Sequence, residues 1–523
     1  MLQPLQWIYR QLVHYTYFIS WVTLGLLGIL TLYVRYKTIL LANPDVGGIE
    51  SNVIYSILRV MDGYPLYENP EQPPFAVTQY SPIYYYLTVF VAKLLQLMPD
   101  DVYDIYVCNR CVSLVANGFY VWGIVKLARR LSLPMSVACL AGILAFVLLT
   151  PQSYGRPDSL YNAFVVWTIW AMCQWQEAGG EKRFGWAMIL PALFTVCALF
   201  SKQSGLCLLV IVGGYLVFFA QNFRQFLYFY AWFGLFFIIL CVGLFGREMA
   251  WVYANVIQGV SNGIDFANFR YNLIDHYLRP FVWLVVPGLA ISIRYAVFER
   301  GSRQIIGLAN TGLFVFALTT GLKWGSALNY FTEFTSISGL LIIETLWQLR
   351  HTRSEWANMG RLGIALGIVW VIPVNAMNFN WMLSFGKPTN LTQYKREQAI
   401  AHYLKNKLNV SNTCLIYSTL YNSSYLNSFL FRNCVVPQQD LLIGSAYPRH
   451  TFNYAHLDQI SRNGGIRYAI TLDNETEAAL SPPIYLARYR PIKSLYGYTI
   501  YQFDPVLTDN RVSTNKMVSS AAH

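Results

Sequence analysis

The sequence is poor in charged residues. Only 12% of its 523 residues are Asp, Glu, Lys or Arg, whereas soluble globular proteins carry about 25%. Hydrophobic residues make up 55% of the chain and aromatic residues 16%. This balance excludes a soluble globular protein and predicts a polytopic membrane protein with aromatic belts at its interfaces.

Several sequence motifs are also missing. The nine cysteines form no Cys/His cluster, and there is no DxD, HExxH or Walker sequence. We therefore expect no metal and no cofactor. The net charge of +12 comes without a basic run interleaved with aromatic residues, so no nucleic-acid partner is expected.

Long apolar runs are what the sequence does contain. A helix needs roughly 17–25 residues to cross a bilayer. Eleven runs qualify, and they predict an all-α membrane domain over residues 1–383: 18–40, 105–125, 134–150, 160–176, 185–201, 205–221, 226–246, 280–298, 304–322, 330–347 and 362–383. The run 83–98 is a twelfth candidate.

The basic residues at the ends of the runs decide between eleven and twelve spans. Cytoplasmic loops carry an excess of Lys and Arg. If 83–98 lies along the outer interface, five clusters of basic residues at the ends of the runs all fall on the side of the N-terminus. They are Lys126/Arg129/Arg130, Lys182/Arg183, Arg224, Arg294/Arg300/Arg303 and Arg350/Arg353/Arg361. We therefore expect eleven spans in an inner (plasma) membrane, a cytoplasmic N-terminus and an external tail.

The tail alternates in polarity in the manner of a small α/β domain. Its strand-like stretches are CLIYST, CVVPQ, YAITL and YTIYQF, and helical patterns cover 393–408 and 453–463. We expect an extracytoplasmic domain over 384–506 and a disordered tail over 507–523. Cys414 and Cys434 would be able to pair if the domain lies in an oxidising compartment.

The first external loop concentrates acidic residues. Between Asp45 and Glu71 it holds five acids and a single base, Arg59, and a short amphipathic helix is predicted through Ile54 to Met61. A carboxylate held against the bilayer can take a proton from an acceptor hydroxyl. Glu50 and Asp45 are the candidates for this base, although acids in such loops are most often simply solvated.

The second external loop holds Gly155-Arg156-Pro157-Asp158-Ser159. Asp158 lies at the start of the next span, where it is either a site residue or a helix N-cap together with Ser159. Arg156 is harder to explain as part of a cap, because a charge near the membrane is costly unless it is paired.

Isolated charges mark the outer ends of other spans. Lys202 and Lys323 are candidates for holding a lipid phosphate, the alternative being that they extend to the headgroups. Glu333 is an acid inside a span and is a functional candidate for that reason. Arg110 is similar, but binding to a lipid headgroup would also explain it.

These stretches together resemble a known family. A first span, an external loop with an acid, Gly-x-x-Leu-Tyr, a Pro pair and Tyr-x-Pro-x-Tyr-Tyr-Tyr beginning at Tyr80 are similar to the GT-C superfamily of membrane glycosyltransferases. The nearest branch is the bacterial protein-mannosyltransferase-like and aminoarabinose-transferase-like one. Arg-Pro-Asp at 156–158, Lys-x-x-Gly at 202–205 and Asn-Tyr-x-x-Glu at 329–333, which includes Asn329 and Tyr330, continue the likeness over about residues 1–345.

The resemblance implies a function. Such enzymes transfer a sugar from a polyprenyl-phosphate carrier to a lipid-linked, glycan or protein acceptor on the non-cytoplasmic side, with inversion, and the first-loop acid is the base. Here Glu50 stands where the family has Asp, and Ser51 replaces a second acid, so Asp45 remains a rival. The alternatives are a lipid or glycan transporter, against which the absence of a visible repeat argues, and a protein that merely displays its tail.

Overall fold

The computed structural model describes residues 2–41, 50–149, 154–179, 185–261, 263–352, 354–384, 388–410, 415–418, 449–473 and 484–507. Asp45, Cys414, Cys434, the CVVPQ stretch and nearly all of the predicted disordered tail lie outside these ranges.

The described chain is mainly helical. Its helices are α1 (Leu2–Ile39), α2 (Glu50–Met61), α3 (Ile83–Leu94), α4 (Val102–Arg130), α5 (Met135–Val147), α6 (Asp158–Glu177), α7 (Ile189–Ser201), α8 (Leu206–Gly214), α9 (Phe223–Phe245), α10 (Met249–Val252), α11 (Phe266–Arg270), α12 (Arg279–Phe298), α13 (Ser302–Gly321), α14 (Thr332–Gln348), α15 (Glu355–Ser384), α16 (Pro388–Asn406) and α17 (Ala455–Arg462).

Each of the eleven apolar runs is helical in the structure, which confirms the predicted helical membrane domain. Among the described residues, six helices are long and apolar enough to cross a membrane, in α1, α4, α9, α11–α12, α13 and α15. The count of eleven spans remains a prediction. A single large core of Leu, Ile, Val and aromatic side chains joins the long helices.

The loop after α1 folds into two short helices that pack on the bundle. Helix α3 has 12 residues, about 18 Å at 1.5 Å per residue, which is shorter than a bilayer core of about 30 Å. Helix α2 differs from its amphipathic prediction, because Asn52 to Arg59 are all buried. A second core lies beneath α2 and α3 and includes Ile54, Leu58 and Tyr84.

The described residues of the tail form a four-stranded mixed sheet with the order β1-β2-β4-β3. The strands are β1 (Ile416–Ser418), β2 (Tyr468–Leu472), β3 (Tyr489–Leu495) and β4 (Tyr498–Phe503). Strand β1 runs parallel to β2, and the other pairs are antiparallel. Helix α16 covers one face of the sheet through Ile400 and Leu404, while Leu457 of α17 packs on the other face.

Candidate active site

Asp158 is the centre of a buried polar cluster. It is the first residue of α6 and is 1% exposed. Its Oδ1 atom accepts hydrogen bonds from Lys202 Nζ and Asn329 Nδ2, each at 2.6 Å. Its Oδ2 atom lies 3.4 Å from Arg156 Nε. One carboxylate therefore binds donors from three separate connecting segments.

The local sequence explains how Asp158 is presented. Pro157 occupies the cap position of α6, and no side chain caps this helix end. The N-cap alternative for Asp158 and Ser159 is therefore wrong, because the Asp158 carboxylate faces cations rather than backbone amides. Ser159 instead donates to the Arg156 carbonyl at 2.8 Å, and Gly155 supplies the positive φ of 74° that turns the chain into α6.

Two tyrosines border this cluster. The Tyr80 hydroxyl accepts a hydrogen bond from Arg156 Nη2 at 2.7 Å. The Tyr330 ring centroid lies 4.7 Å from Lys202 Nζ, a distance that suits a cation–π contact. Both cations are thereby oriented without a second full negative charge.

Glu333 lies beneath Asp158 and is connected to it by Asn162. The Asn162 amide nitrogen, in the orientation that satisfies both neighbours, donates to Glu333 Oε1 at 2.5 Å and to the Asp158 carbonyl at 3.0 Å. Glu333 is 2% exposed. The acid predicted inside a span is thus part of the same polar network.

Lys323 lies on the connection between α13 and α14 and is half-buried. Within the described ranges it makes no ion pair. Burial, together with the nearby charge of Lys202, lowers its pKa to about 8. Burial alone would lower the pKa of Lys202 as well, but the adjacent Asp158 carboxylate raises it above its usual value.

Glu50 has a different environment from the one predicted. It is 0% exposed at the start of α2. Arg110 of α4 forms a bidentate ion pair with Glu50: Nε donates to Oε1 at 2.8 Å and Nη2 donates to Oε2 at 2.9 Å. Arg110 also donates to the Thr38 and Leu41 carbonyls at the end of α1. The pair therefore ties the loop helix to two long helices.

The sequence analysis did not predict this pairing, although it singled out Glu50 and Arg110 individually. Glu50 and Arg110 are 60 positions apart, so no spacing rule connects them. The available signal was the rule that ionisable residues in membrane proteins pair with one another. Arg110 consequently is not a headgroup contact.

The Glu50 pair adjoins the turn that presents Asp158. A Cβ atom placed on Gly155 would lie 2.3 Å from Glu50 Oε1, so only glycine fits there. Asn109 donates to the Gly155 carbonyl at 2.8 Å. The predicted site residues Tyr80, Arg156, Asp158, Lys202, Asn329, Tyr330 and Glu333 are thus joined in one network, with Glu50 packed behind it.

The tail domain is docked onto the first loop. Phe75 is fully buried and shares an apolar core with Tyr417, Tyr454 and Leu457 of the tail. The Asn453 amide donates to Glu71 Oε1 at 2.8 Å. Since Phe75 is five residues from Tyr80, the tail contacts the segment that leads into the polar cluster.

No group of three or more His, Cys, Asp or Glu side chains among the described residues has the arrangement of a metal site. The polar cluster is instead a set of cations around one carboxylate, and such a set suits an anionic substrate group.

The structure is similar to those of membrane glycosyltransferases. ArnT from Cupriavidus metallidurans bound to undecaprenyl phosphate matches with a TM-score of 0.54 and 13% identity, over 93% of this chain and 99% of ArnT. The oligosaccharyltransferase AglB from Archaeoglobus fulgidus, in complex with an inhibitory peptide and a dolichol-phosphate, matches with a TM-score of 0.57 and 10% identity. That match covers 88% of this chain and 70% of AglB.

The sequence comparisons add nothing to this likeness, because no protein-family model and no curated protein matches. The chain therefore has the fold that ArnT and AglB share, in agreement with the resemblance that the sequence motifs indicated. Its long apolar helices indicate an integral membrane protein.

Proposed function

We propose that this protein is a membrane glycosyltransferase that moves a sugar from a polyprenyl-phosphate-linked donor to an acceptor on the extracytoplasmic side. The observation that carries the proposal is the cluster of Arg156, Lys202 and Asn329 around Asp158, placed within the GT-C fold. ArnT and AglB, which share this fold, were solved with undecaprenyl phosphate and dolichol-phosphate respectively.

The reaction is a direct displacement with inversion. The acceptor oxygen attacks the anomeric carbon, its proton passes to a carboxylate, and the bond from that carbon to the phosphate oxygen breaks. The departing phosphate keeps the electron pair and gains negative charge. Lys202, Lys323 and Arg156 neutralise that charge in a site of low dielectric, where a cation contributes far more than in water.

Asp158 has a positioning role in this mechanism. Two hydrogen bonds to Oδ1 and an ion pair with Arg156 already hold its carboxylate, which makes it a weak base. Its negative charge keeps two buried cations charged and oriented, and it leaves Oδ2, which accepts no hydrogen bond in the described chain, for an acceptor or sugar hydroxyl.

The base is one of two acids of the first loop, Asp45 or Glu50. Glu50 is fully buried and held at both oxygens by Arg110, an arrangement that favours a structural role. We therefore assign the base to Asp45 and keep Glu50 as the rival.

A groove beside the cluster supports a lipid-linked donor. It has a volume of about 650 Å³ and is lined almost wholly by apolar side chains of α3 and α4. Leu160 of α6, two residues from Asp158, forms part of its wall. An isoprenoid chain lying there would bring its phosphate to the outer end of α6.

The decisive experiment uses the purified full chain in detergent with a polyprenyl-phosphate-linked sugar. With an acceptor present to take the sugar, a glycosyltransferase releases free polyprenyl phosphate, whereas a transporter does not. Asp45→Asn should lower turnover by about 10²–10⁴ with donor binding kept. If Glu50→Gln gives that loss without a loss of stability while Asp45→Asn does not, Glu50 is the base; if both variants retain turnover, neither of these two acids is the base.

Orientation needs its own test. The proposal places the loop after α1 and the tail outside and the basic loop ends inside. In a variant without reactive native thiols, a cysteine at Asn69 should react with an impermeant reagent in intact cells, and a cysteine at Arg129 should not. The opposite pattern would overturn the assignment.

A further inference from the structure

Two glutamine side chains at the edge of the polar cluster are incompletely hydrogen bonded. Gln79 is 4% exposed, and its Nε2 atom has no hydrogen-bond partner in the described chain. Gln203 Oε1 is also buried and likewise has no hydrogen-bond partner in the described chain. Gln203 Nε2 donates to the Gln79 carbonyl at 3.3 Å, so the two residues are in direct contact.

Their position places them beside the proposed chemistry. Gln79 directly precedes Tyr80, whose hydroxyl accepts from Arg156. Gln203 directly follows Lys202, whose ammonium donates to Asp158. The Gln79 backbone is fixed independently, because the preceding residue Thr78 donates its amide to Asn255 Oδ1 at 2.8 Å.

A buried polar atom without a partner destabilises the fold, and such atoms are rare enough to need an explanation. Here one donor and one acceptor remain, both on neutral amides. A sugar hydroxyl is itself a donor and an acceptor. A neutral pair cannot compete for the phosphate with Lys202 and Arg156, but it can select a neutral polyhydroxylated group next to that phosphate.

We propose that Gln79 and Gln203 form a hydroxyl-binding subsite that recognises the transferred sugar of the donor. This inference rests on the proposed function and deepens it: the cations bind the phosphate, and the two side-chain amides form hydrogen bonds with the hydroxyl groups of the sugar. Gln79 supplies the donated hydrogen bond and Gln203 the accepted one.

The test compares two lipids on the full chain in detergent: undecaprenyl phosphate alone, and undecaprenyl phosphate carrying each of a panel of hexoses. The wild type should bind at least one sugar-linked lipid more tightly than the bare lipid. Gln79→Met and Gln203→Met keep the approximate side-chain length but remove the hydrogen bonds. Each variant should lower the affinity for that sugar-linked lipid by about tenfold to a hundredfold. The affinity for the bare lipid should not change.

Gln304→Met is the matched control, because Gln304 is a partly buried glutamine on α13 that bonds the Ala296 carbonyl. It should change neither affinity. If the sugar tightens binding equally in the wild type and both variants, or if the variants weaken both lipids alike, the subsite is refuted. If the wild type does not bind bare undecaprenyl phosphate, the donor class itself is wrong and the subsite falls with it. The bare-lipid measurement therefore separates the two failures.

Discussion

Two buried carboxylates, Glu50 and Asp158, show how the same residue type acquires different roles. Glu50 is matched by one arginine that binds both of its oxygens in parallel. Asp158 is shared by Lys202, Asn329 and Arg156, and its Oδ2 accepts no hydrogen bond in the described chain. The first arrangement is closed, while the second leaves acceptor capacity and surplus positive charge. Burial alone therefore does not identify a functional acid; the state of its hydrogen bonds does.

The largest expected effect comes from breaking the closed pair. Removing one partner of a buried ion pair costs about 3–5 kcal/mol, because the other charge is left uncompensated. Glu50→Gln should therefore lower the free energy of unfolding by that amount, measured by denaturation in detergent. Arg110→Met should do the same.

The double variant Glu50→Gln with Arg110→Met sharpens this test. If the pair is structural, the double variant should regain most of the lost stability and much of the turnover. A double variant that is stable yet inactive would instead return the role of base to Glu50. Asp45→Asn should leave stability unchanged.

The next effect concerns the shared carboxylate. Lys202→Met removes one cation from Asp158 but leaves Arg156 beside it, so the fold should persist. Loss of one preorganised group that stabilises developing charge typically costs about 10²–10³ in rate. Donor turnover should fall by that factor in a steady-state release assay. Lys126→Met, at an exposed position on α4, is the control, and equal turnover in both variants would reduce Lys202 to a structural cation.

A smaller effect should follow pH. The pKa of Lys323 lies near 8, so its ammonium is charged at pH 7 and loses its proton as the pH rises above 8. Affinity for bare polyprenyl phosphate should then fall by roughly tenfold between pH 7 and 9, as an ion pair with phosphate is lost. Lys323→Arg should keep its affinity across this range, since arginine stays charged. A wild type that shows no such fall would remove Lys323 from the phosphate site.

Much of the helical framework could be predicted from the sequence, because apolar runs of sufficient length have few alternatives in a bilayer. The tail was less predictable. Strand β3 was missed, since Pro491 and the register shift between Pro491 and Lys493 obscure its alternation. The candidate site residues were predicted from motifs and isolated charges, not from any property that fixes their contacts.

The remaining contacts depend on tertiary geometry. Nothing in the sequence near Phe75 predicts that it enters the core of a domain some 340 positions later in the chain. Gln79 and Gln203 carry no charge, so they gave no signal before their contact with each other and with the Lys202 segment was visible.

The smallest effect tests whether the tail domain influences the Asp158 cluster through that contact. Glu71 accepts the Asn453 amide at 2.8 Å, and a single partly exposed hydrogen bond of this kind contributes about 0.5–1.5 kcal/mol. Glu71→Ala should loosen the docked domain by that amount, seen as faster proteolysis of the tail domain. Because Phe75 and Val77 remain in the shared core, docking should weaken but not fail. Turnover should fall severalfold at most, because the change reaches the site only through the segment that ends at Tyr80.

Glu71→Gln, which retains an acceptor oxygen, should match the wild type in both measurements. Faster proteolysis with unchanged turnover would show that the tail is docked on the first loop without supporting the placement of Tyr80.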